Sequence, residues 1–225
     1  MPRKSTAEVA PVIAALAPTG HVGDALQRAF DHFNAKLFDS RLPPCIILLH
    51  RKKNARGYFW PERFGKRGDG ELKLHEIALN PSTMGDRTER DVLSTLVHEM
   101  CHHEQQVFGK PGKGGYHNAE WGAMMDKVGL TPKSLDQPGK RTGNKVTHEI
   151  VEGGAFDLAC AELLAAGLSL PYVERQFTAA QATRARAKTK SKTKYTCPSC
   201  DANAWAKPGA NLVCGDCEEE LEEQE

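Results

Sequence analysis

Two histidines and a glutamate near the middle of the chain have the types and spacing of a hydrolytic metal centre. His98 and His102 are four positions apart, so on an α-helix their imidazoles project from one face, about 40° apart around the axis. Two imidazoles at this spacing can share one zinc ion. Glu99 follows the first histidine, where a carboxylate can take a proton from zinc-bound water and pass it to the leaving amine. The pattern therefore predicts a catalytic zinc site.

A third ligand is predicted beyond the next loop. His117 lies 15 residues after His102, past the glycine-rich stretch 109–115 and at the start of the next amphipathic segment. A hairpin of two helices would let it close on the metal. The alternative for the whole group is a solvated polar stripe on a helix. The apolar neighbours Leu96 and Val97 argue against that alternative, because they indicate a buried helix, in which imidazoles and carboxylates need partners.

Two residues beside the motif are easily confused with it. His103 lies about 100° around the helix from His102, so it should face away from the metal, and we expect it at the surface or behind a ligand. Cys101 is expected in the core, since free cysteine behaves as a small buried hydrophobe. Neither is predicted as a metal ligand.

Further polar residues bear on the same site. Glu104 and Glu120 are predicted as carboxylates that hydrogen-bond the zinc-binding imidazoles. His148 and Glu149 repeat the first half of the motif, but Glu152 stands where the second histidine would be needed. This pair is therefore interpreted as part of an ordinary polar segment and not as a ligand site.

Four cysteines near the C-terminus form two CxxC pairs separated by 13 residues. Thiolates in this pattern predict a tetrahedral, structural zinc site of the zinc-ribbon type. A redox dithiol is the less favoured alternative, because the motif is doubled. Trp205 and Leu212–Val213 are expected to supply the apolar contacts of this module, in which the metal replaces a core. The predicted ligands are Cys197, Cys200, Cys214 and Cys217.

The overall composition is ordinary for a globular protein, with 40% hydrophobic and 26% charged residues among 225. The net charge of +1 hides two runs, since residues 184–194 carry six basic side chains and residues 216–225 carry six Glu and one Asp. No stretch approaches the ~20 apolar residues of a membrane helix, and the N-terminus predicts no signal peptide. Because the paired cysteines suit metal binding better than disulfides, we expect a cytoplasmic protein.

Hydrophobic periodicity predicts the elements that position these groups. A helix is expected over 23–39, and a long helix carries the HExxH motif to about Phe108, with Asp86 and Glu89 as its capping pair. Residues 131–150 are rich in proline, glycine and lysine and are expected to be irregular. The other predicted elements are strands at 45–50, 57–60 and 71–79 and helices at roughly 118–128 and 155–168. The fold predicted from these elements is α+β, with a small, mostly antiparallel sheet.

Several segments carry a resemblance to a known family. They are Leu96–His102, His117, Glu120–Trp121, Gly57–Phe59 and Glu76–Leu79, together with the four-cysteine module. In these segments the chain resembles the SprT-like family, small zincin metalloproteases that include the Spartan-type proteases. The resemblance covers roughly residues 22–130 plus the ribbon.

The resemblance implies a zincin-like metalloprotease domain with His98, His102 and His117 as zinc ligands and Glu99 as the catalytic base. The expected function is a zinc-dependent metalloendopeptidase with one catalytic and one structural zinc ion. Its substrates would be proteins, and in the Spartan-type branch these are proteins crosslinked to DNA. DNA is therefore an expected partner, contacted through Arg184–Lys194 and the ribbon.

Other interpretations stay open at this point. The chain is alternatively a non-proteolytic, zinc-containing DNA-binding or regulatory protein, or another zinc hydrolase such as an amidase. The basic run is also explained as a solvated linker that keeps two domains apart. The expected organisation is a lead-in at 1–21, the metallopeptidase domain at 22–177, a basic linker at 178–194, the ribbon at 195–217 and an acidic tail at 218–225.

Overall fold

A computed structural model describes residues 17–174 and 192–224 of the chain, apart from the side chain of Asp69. These residues belong to two compact units, which divide between Arg175 and Gln176. The helices of the first unit are α1 (Pro18–Leu37), α2 (Glu89–Phe108), α3 (Ala119–Lys127) and α4 (Ala155–Ala165). Its strands are β1 (Ile46–Leu49), β2 (Gly57–Lys66), β3 (Asp69–Leu79), β4 (Leu130–Ser134) and β5 (Val146–Ile150). The second unit contains β6 (Thr193–Thr196), β7 (Asn203–Ala206) and β8 (Glu222–Gln224).

Helix α1 is the amphipathic helix that the sequence predicts, with an earlier start. Pro18 occupies its first turn, where a missing N–H costs nothing. Phe30 and Phe33 are 2% and 0% exposed, and the Phe33 ring lies 5.6 Å from that of Phe156 on α4. Most of the lead-in predicted for 1–21 lies outside the described residues, but its last part forms the first turn of this helix.

Helix α2 is the predicted long helix, and it runs through the middle of the first unit. Its N-terminal cap is Thr88, whose hydroxyl accepts from the backbone N–H of Asp91 at 3.1 Å, while Asp91 accepts from the Thr88 N–H at 3.3 Å. The capping pair predicted from Asp86 and Glu89 is therefore wrong, and the reciprocal pair begins two residues later. Leu93, Leu96, Val97 and Met100 of this helix are all 0% exposed.

The three-stranded sheet has the order β1–β3–β2. Strand β3 is central, parallel to β1 and antiparallel to β2, with Ile77 opposite Ile47 on one side and Phe59 on the other. The three predicted strands are present, but one of the two pairings is parallel, so this sheet is mixed. Ile77, Ala78 and Leu79 are at most 1% exposed. This end of β3 packs into the same apolar core as α2.

Residues 131–150, expected to be irregular, contain a β-hairpin. Strand β4 pairs antiparallel with β5, and Pro132 lies opposite His148. The prediction was wrong because proline and glycine were interpreted as strand breakers. In a two-stranded ribbon each strand has one free edge, so Pro132 can sit in β4 with its missing donor on the unpaired side.

The second unit is a small antiparallel sheet of order β7–β6–β8. Among its described residues, the one large side chain that is fully buried is Tyr195, at 2% exposure. Of the residues expected to supply its apolar contacts, Leu212 is half-buried, whereas Trp205 and Val213 are 61% and 62% exposed, so the expectation is wrong for these two. Residues Glu222–Gln224, expected in a separate acidic tail, pair with β6.

For the predicted linker and for membrane-spanning helices, the structure gives information only on the described residues. The predicted basic linker lies mostly outside them, and its last residues, Thr193 and Lys194, begin β6. In the stretches 17–174 and 192–224, none of the helices combines the length and apolar character needed to cross a bilayer.

Candidate active site

Helices α2 and α3 bring the three predicted histidine ligands together. His98 and His102 lie one turn apart on α2, and His117 directly precedes Asn118, which caps α3 by accepting from the Trp121 N–H at 3.0 Å. One nitrogen from each of the three histidines lies within 4.8 Å of the others. The structure thus brings together the three histidines that the sequence predicted as ligands. That this triad binds zinc stays a prediction.

Trp121 forms a floor beneath the triad. It is 0% exposed, and its ring lies 4.8 Å from that of His98, 5.0 Å from that of His102 and 4.4 Å from that of His117. Since a close-packed interior leaves few alternative rotamers, this contact restricts all three imidazoles at once. The donor atoms are therefore held by packing in the protein itself.

The outer nitrogen of His117 is fixed by the β4–β5 hairpin. Its Nδ1 lies 3.0 Å from the carbonyl oxygen of Gly143, and the two residues also exchange backbone hydrogen bonds of 3.0 and 3.1 Å. A carbonyl only accepts, so Nδ1 carries the proton. Nε2 is then the nitrogen with a free lone pair for a metal.

His148 occupies the corresponding position behind His98. Its Nδ1 lies 3.1 Å from Nδ1 of His98, and its Nε2 lies 2.8 Å from the hydroxyl of Ser94. Burial, together with the charges of Arg87 and Arg56, lowers the pKa of His148 to about 4, so its ring is neutral. The interpretation of His148 as part of an ordinary polar segment was wrong, because strand β5, which was not predicted, carries it to the site; that it is not a ligand stays a prediction.

The three imidazoles themselves suit a metal cation. Burial lowers the pKa of His102 to about 3, that of His98 well below its ordinary value, and that of His117 to a lesser degree. All three are neutral near pH 7, and a neutral imidazole is the form with a lone pair to donate. Three such nitrogens with room for a fourth ligand match the donor set of catalytic zinc sites.

Glu99 lies beside the triad at the base of a cleft. It is 5% exposed, and burial raises its pKa to about 8. Gly57 at the start of β2 makes room for its carboxylate: a Cβ there would lie 3.0 Å from Glu99 Oε1, 3.0 Å from Thr95 Cγ2 and 2.9 Å from the Ala78 carbonyl oxygen. The glycine is therefore required by close approach.

The cleft above these residues has a volume of about 1140 Å³ and is bounded by β2, the triad and the β4–β5 hairpin. Among the described residues that line it, four are Lys or Arg and one, Glu99, is acidic. The exposed rings of Trp60 and Tyr116 also border the space. Its size suits a stretch of polypeptide. The basic residues are Lys52, Lys53, Arg56 and Lys145.

The carboxylates predicted to support the imidazoles serve other partners. Glu104 is 2% exposed and forms an ion pair with Arg41. Glu120 accepts from the Lys110 backbone N–H and from the Gln105 amide, both at 2.7 Å. Within the described residues, the hydrogen bonds of these two carboxylates therefore do not reach the triad, and the prediction was wrong for both. The partners behind the imidazoles are a carbonyl and a histidine instead.

His103 is in neither of its two expected positions. It is 0% exposed and stacks between Phe30 and Phe59, with ring centroids 6.2 and 5.7 Å away. His103 does point away from the triad, as its position on the helix predicted. Helix α2 is buried on that side as well, so the side chain lies in the core. Cys101 is 0% exposed, which confirms its predicted place in the core.

In the second unit the four predicted cysteines form a separate cluster. Their sulfur atoms lie within 4.8 Å of one another, and the sulfurs of Cys200 and Cys214 are 3.7 Å apart. A tetrahedral site with bonds of ~2.3 Å has edges of about 3.8 Å, so this separation fits four thiolates around one zinc ion. Hydrogen bonds from the backbone N–H groups of Asp216 and Cys217 lower the pKa of Cys214 to about 7, which favours the thiolate.

Comparison with known proteins agrees with this picture. A model of the SprT-like family matches residues 26–149, more than half of the chain. Over 53 residues the chain is 51% identical to a Salmonella typhimurium protein described as "Uncharacterized protein in mucB 3'region". That match covers 24% of this chain and 72% of the Salmonella protein.

Proposed function

Because this chain belongs to the SprT-like family, we propose that it is a zinc-dependent metalloendopeptidase with a zincin-like catalytic domain. The observation that carries the proposal is the junction of the histidine triad and Glu99 at the base of one cleft. His98, His102 and His117 would hold the catalytic zinc ion. The four-cysteine cluster would hold a second, structural zinc ion.

Zinc, when bound, supplies a Lewis acid that polarises the scissile carbonyl and acidifies water. The protein's own contribution is to hold and move a proton at the Glu99 carboxylate. That carboxylate takes the proton from the attacking water and delivers it to the leaving amine. Burial raises the pKa of Glu99, and a cation held by the triad would lower it again, so that the carboxylate form is available to accept the proton.

Substitution of Glu99 tests the proposal. Glu99→Gln preserves the shape of the side chain and removes the base, so casein or histone cleavage should fall by about 10²–10⁴-fold. Glu149→Gln is the matched control, since Glu149 is an exposed carboxylate paired with Lys133 at 2.6 Å. Equal cleavage by the wild type and Glu99→Gln, with the control also unchanged, would contradict a protease.

Metal analysis tests the two proposed zinc sites separately. The purified chain should contain about two zinc ions, one for each donor cluster. His98→Ala should retain about one, held by the cysteines. A wild type that contains one zinc ion, and keeps it in His98→Ala, would rule out the histidine site.

We further propose that the substrates are DNA-associated or DNA-crosslinked proteins in the cytoplasm. The exposed ring of Trp205, opposite Lys194 in the β6–β7 pair, supports a nucleic-acid contact by the ribbon. Neutralising the basic residues of Arg184–Lys194 should weaken DNA binding and flatten its dependence on salt. An unchanged salt dependence would favour the solvated linker.

The same exposed Trp205 favours the alternative function, a non-proteolytic zinc-containing DNA-binding or regulatory protein. The two functions differ in whether the wild type cleaves protein and loses that cleavage in Glu99→Gln. A protease loses cleavage in this variant with or without DNA, whereas a binding protein shows the same DNA affinity and no cleavage in either form.

A further inference from the structure

Behind His98 lies a chain of hydrogen bonds that the proposed mechanism does not use. Nδ1 of His98 is 3.1 Å from Nδ1 of His148. Nε2 of His148 is 2.8 Å from the Ser94 hydroxyl, which in turn is 2.8 Å from the carbonyl oxygen of Asp91. Ser94 is 3% exposed, so these contacts are sheltered from water. This series of hydrogen bonds starts at His98 of the triad and ends at a backbone carbonyl of α2.

We propose that His148 and Ser94 are positioning residues that hold His98 as the Nδ1–H tautomer, with Nε2 free to bind the metal. The inference rests on the histidine metal site proposed above. Strand β5 would then orient one of the metal-binding imidazoles, in addition to lining the cleft.

Which atom donates and which accepts in each of these hydrogen bonds follows from the chemical groups involved. A neutral imidazole has one donor and one acceptor nitrogen, and a backbone carbonyl only accepts. With Asp91 O as the end of the chain, Ser94 donates to it and so accepts from His148 Nε2. His148 then has Nδ1 as its acceptor, which takes the proton of His98 Nδ1–H.

The opposite arrangement is incompatible with a metal at His98. If Ser94 donated to His148, then His148 Nδ1–H would donate to His98 Nδ1, and His98 would carry its proton on Nε2. That nitrogen would have no lone pair for a metal. The Asp91 carbonyl selects against this arrangement, because it offers the serine proton another acceptor.

His148 and Gly143 therefore have parallel roles on one hairpin. The Gly143 carbonyl orients His117 and His148 orients His98, in each case at Nδ1. The hairpin thereby supports two of the three imidazoles from outside. A partner of this kind is worth 10–100-fold in metal affinity where it has been removed from other sites.

Tautomer assignment by NMR tests the inference directly. The full chain, labelled with ¹⁵N in its histidines and loaded with zinc, should show His148 protonated at Nε2 and His98 protonated at Nδ1. A His148 protonated at Nδ1 would overturn the proposal, and so would one whose nitrogen shift indicates a bound metal.

Zinc affinity provides a second test, read as zinc per chain at buffered free zinc. His148→Leu should weaken the histidine site by about 10–100-fold. His148→Asn should restore most of the affinity, because its amide oxygen lies at the same number of bonds from the backbone as Nδ1 and can accept the same proton. His32→Leu is the control, since His32 lies on α1 and bonds the Ala159 carbonyl oxygen at 2.8 Å.

The outcomes separate this inference from the proposed function. A wild type without zinc at the triad means that the proposed metal site fails. A wild type that binds zinc there, with equal affinity in His148→Leu, means that His148 has no positioning role. If His148→Leu does not fold, Ser94→Ala and the tautomer measurement decide the matter, and an Nδ1-protonated His148 still contradicts the proposal.

Discussion

In the first unit, three histidines lie at the ends and faces of helices that share an apolar core, whereas in the second unit four cysteines lie in turns between three short strands. The triad is in contact with a fully buried tryptophan, Trp121, and its backing partners come from a hairpin of the same unit. Among the described residues of the second unit, Tyr195 is the one large side chain that is fully buried.

This difference indicates what fixes the donor atoms in each place. The first unit has an extensive apolar core, so we expect its triad to be held in place by packing even without a metal. The second unit has too little apolar surface to offset the entropy of folding. For the cysteines, metal binding and folding are therefore expected to be a single event.

Removal of zinc by a strong chelator is expected to give the largest effect and the sharpest contrast. The amide resonances of β6–β8 should collapse to unfolded positions, while those of α1–α4 stay dispersed. A ¹H–¹⁵N spectrum of the full chain before and after chelation measures both. Persistence of the ribbon signals, or loss of those of the helices, would break the comparison.

The two tryptophans of these regions offer a matched pair of substitutions. Trp121→Ala removes a fully buried ring under the triad and should lower the free energy of unfolding of the first unit by about 3–5 kcal/mol. Trp205→Ala removes a ring that is 61% exposed and should change stability by less than about 0.5 kcal/mol. Urea unfolding followed by circular dichroism at 222 nm reports the helices of the first unit, and the amide resonances of β6–β8 in the same titration report the ribbon. Similar losses in both variants would show that the ribbon also depends on packing.

Gly57→Ala tests whether the position of the Glu99 carboxylate depends on the close approach of the glycine backbone. The added methyl would press on the Glu99 carboxylate and should reduce kcat/KM for protein cleavage by about 100-fold, with zinc content unchanged. Gly65→Ala is the control in the same strand, because among the described atoms its Cβ would meet none closer than Leu72 O at 3.6 Å. Equal activity of the two variants would mean that the carboxylate is not held there.

Removal of the helix cap should give the smallest effect. Thr88→Ala leaves the Asp91 N–H without its acceptor and should destabilise the first unit by about 1 kcal/mol. Thr88→Ser should restore the loss, since it keeps the hydroxyl. Zinc retention by the cysteines should be the same in both variants, and a change there would indicate that the units are energetically coupled.

The features predicted well from sequence are those set by short spacing. The helical period places His98 and His102 on one face of α2, and the two CxxC pairs bring their sulfurs together in the ribbon. His117 was found because a glycine-rich loop and a new helix start flank it. In each case local geometry along the chain nearly determines the contact.

The features that were missed depend on pairing between distant segments. His148 reaches His98 across 50 positions, and it does so only through strand β5, which proline and glycine signals concealed. His103 was misplaced because a helical projection shows direction but not whether solvent or protein lies there. Trp205 was misplaced because hydrophobicity favours burial only when a unit has enough interior to bury a large ring.

The β4–β5 hairpin has a consequence for the smallest portion of this protein that can be transplanted or evolve as a module. A segment ending at Gly129 would contain all three histidines and Glu99, yet it would lack the carbonyl and the imidazole that orient two of them. A catalytic core cut at the last predicted ligand would thus keep the three histidines. It would lose the groups that orient the imidazoles of two of them. If the proposed site is correct, the smallest unit with this chemistry includes strand β5, which carries none of the predicted ligands.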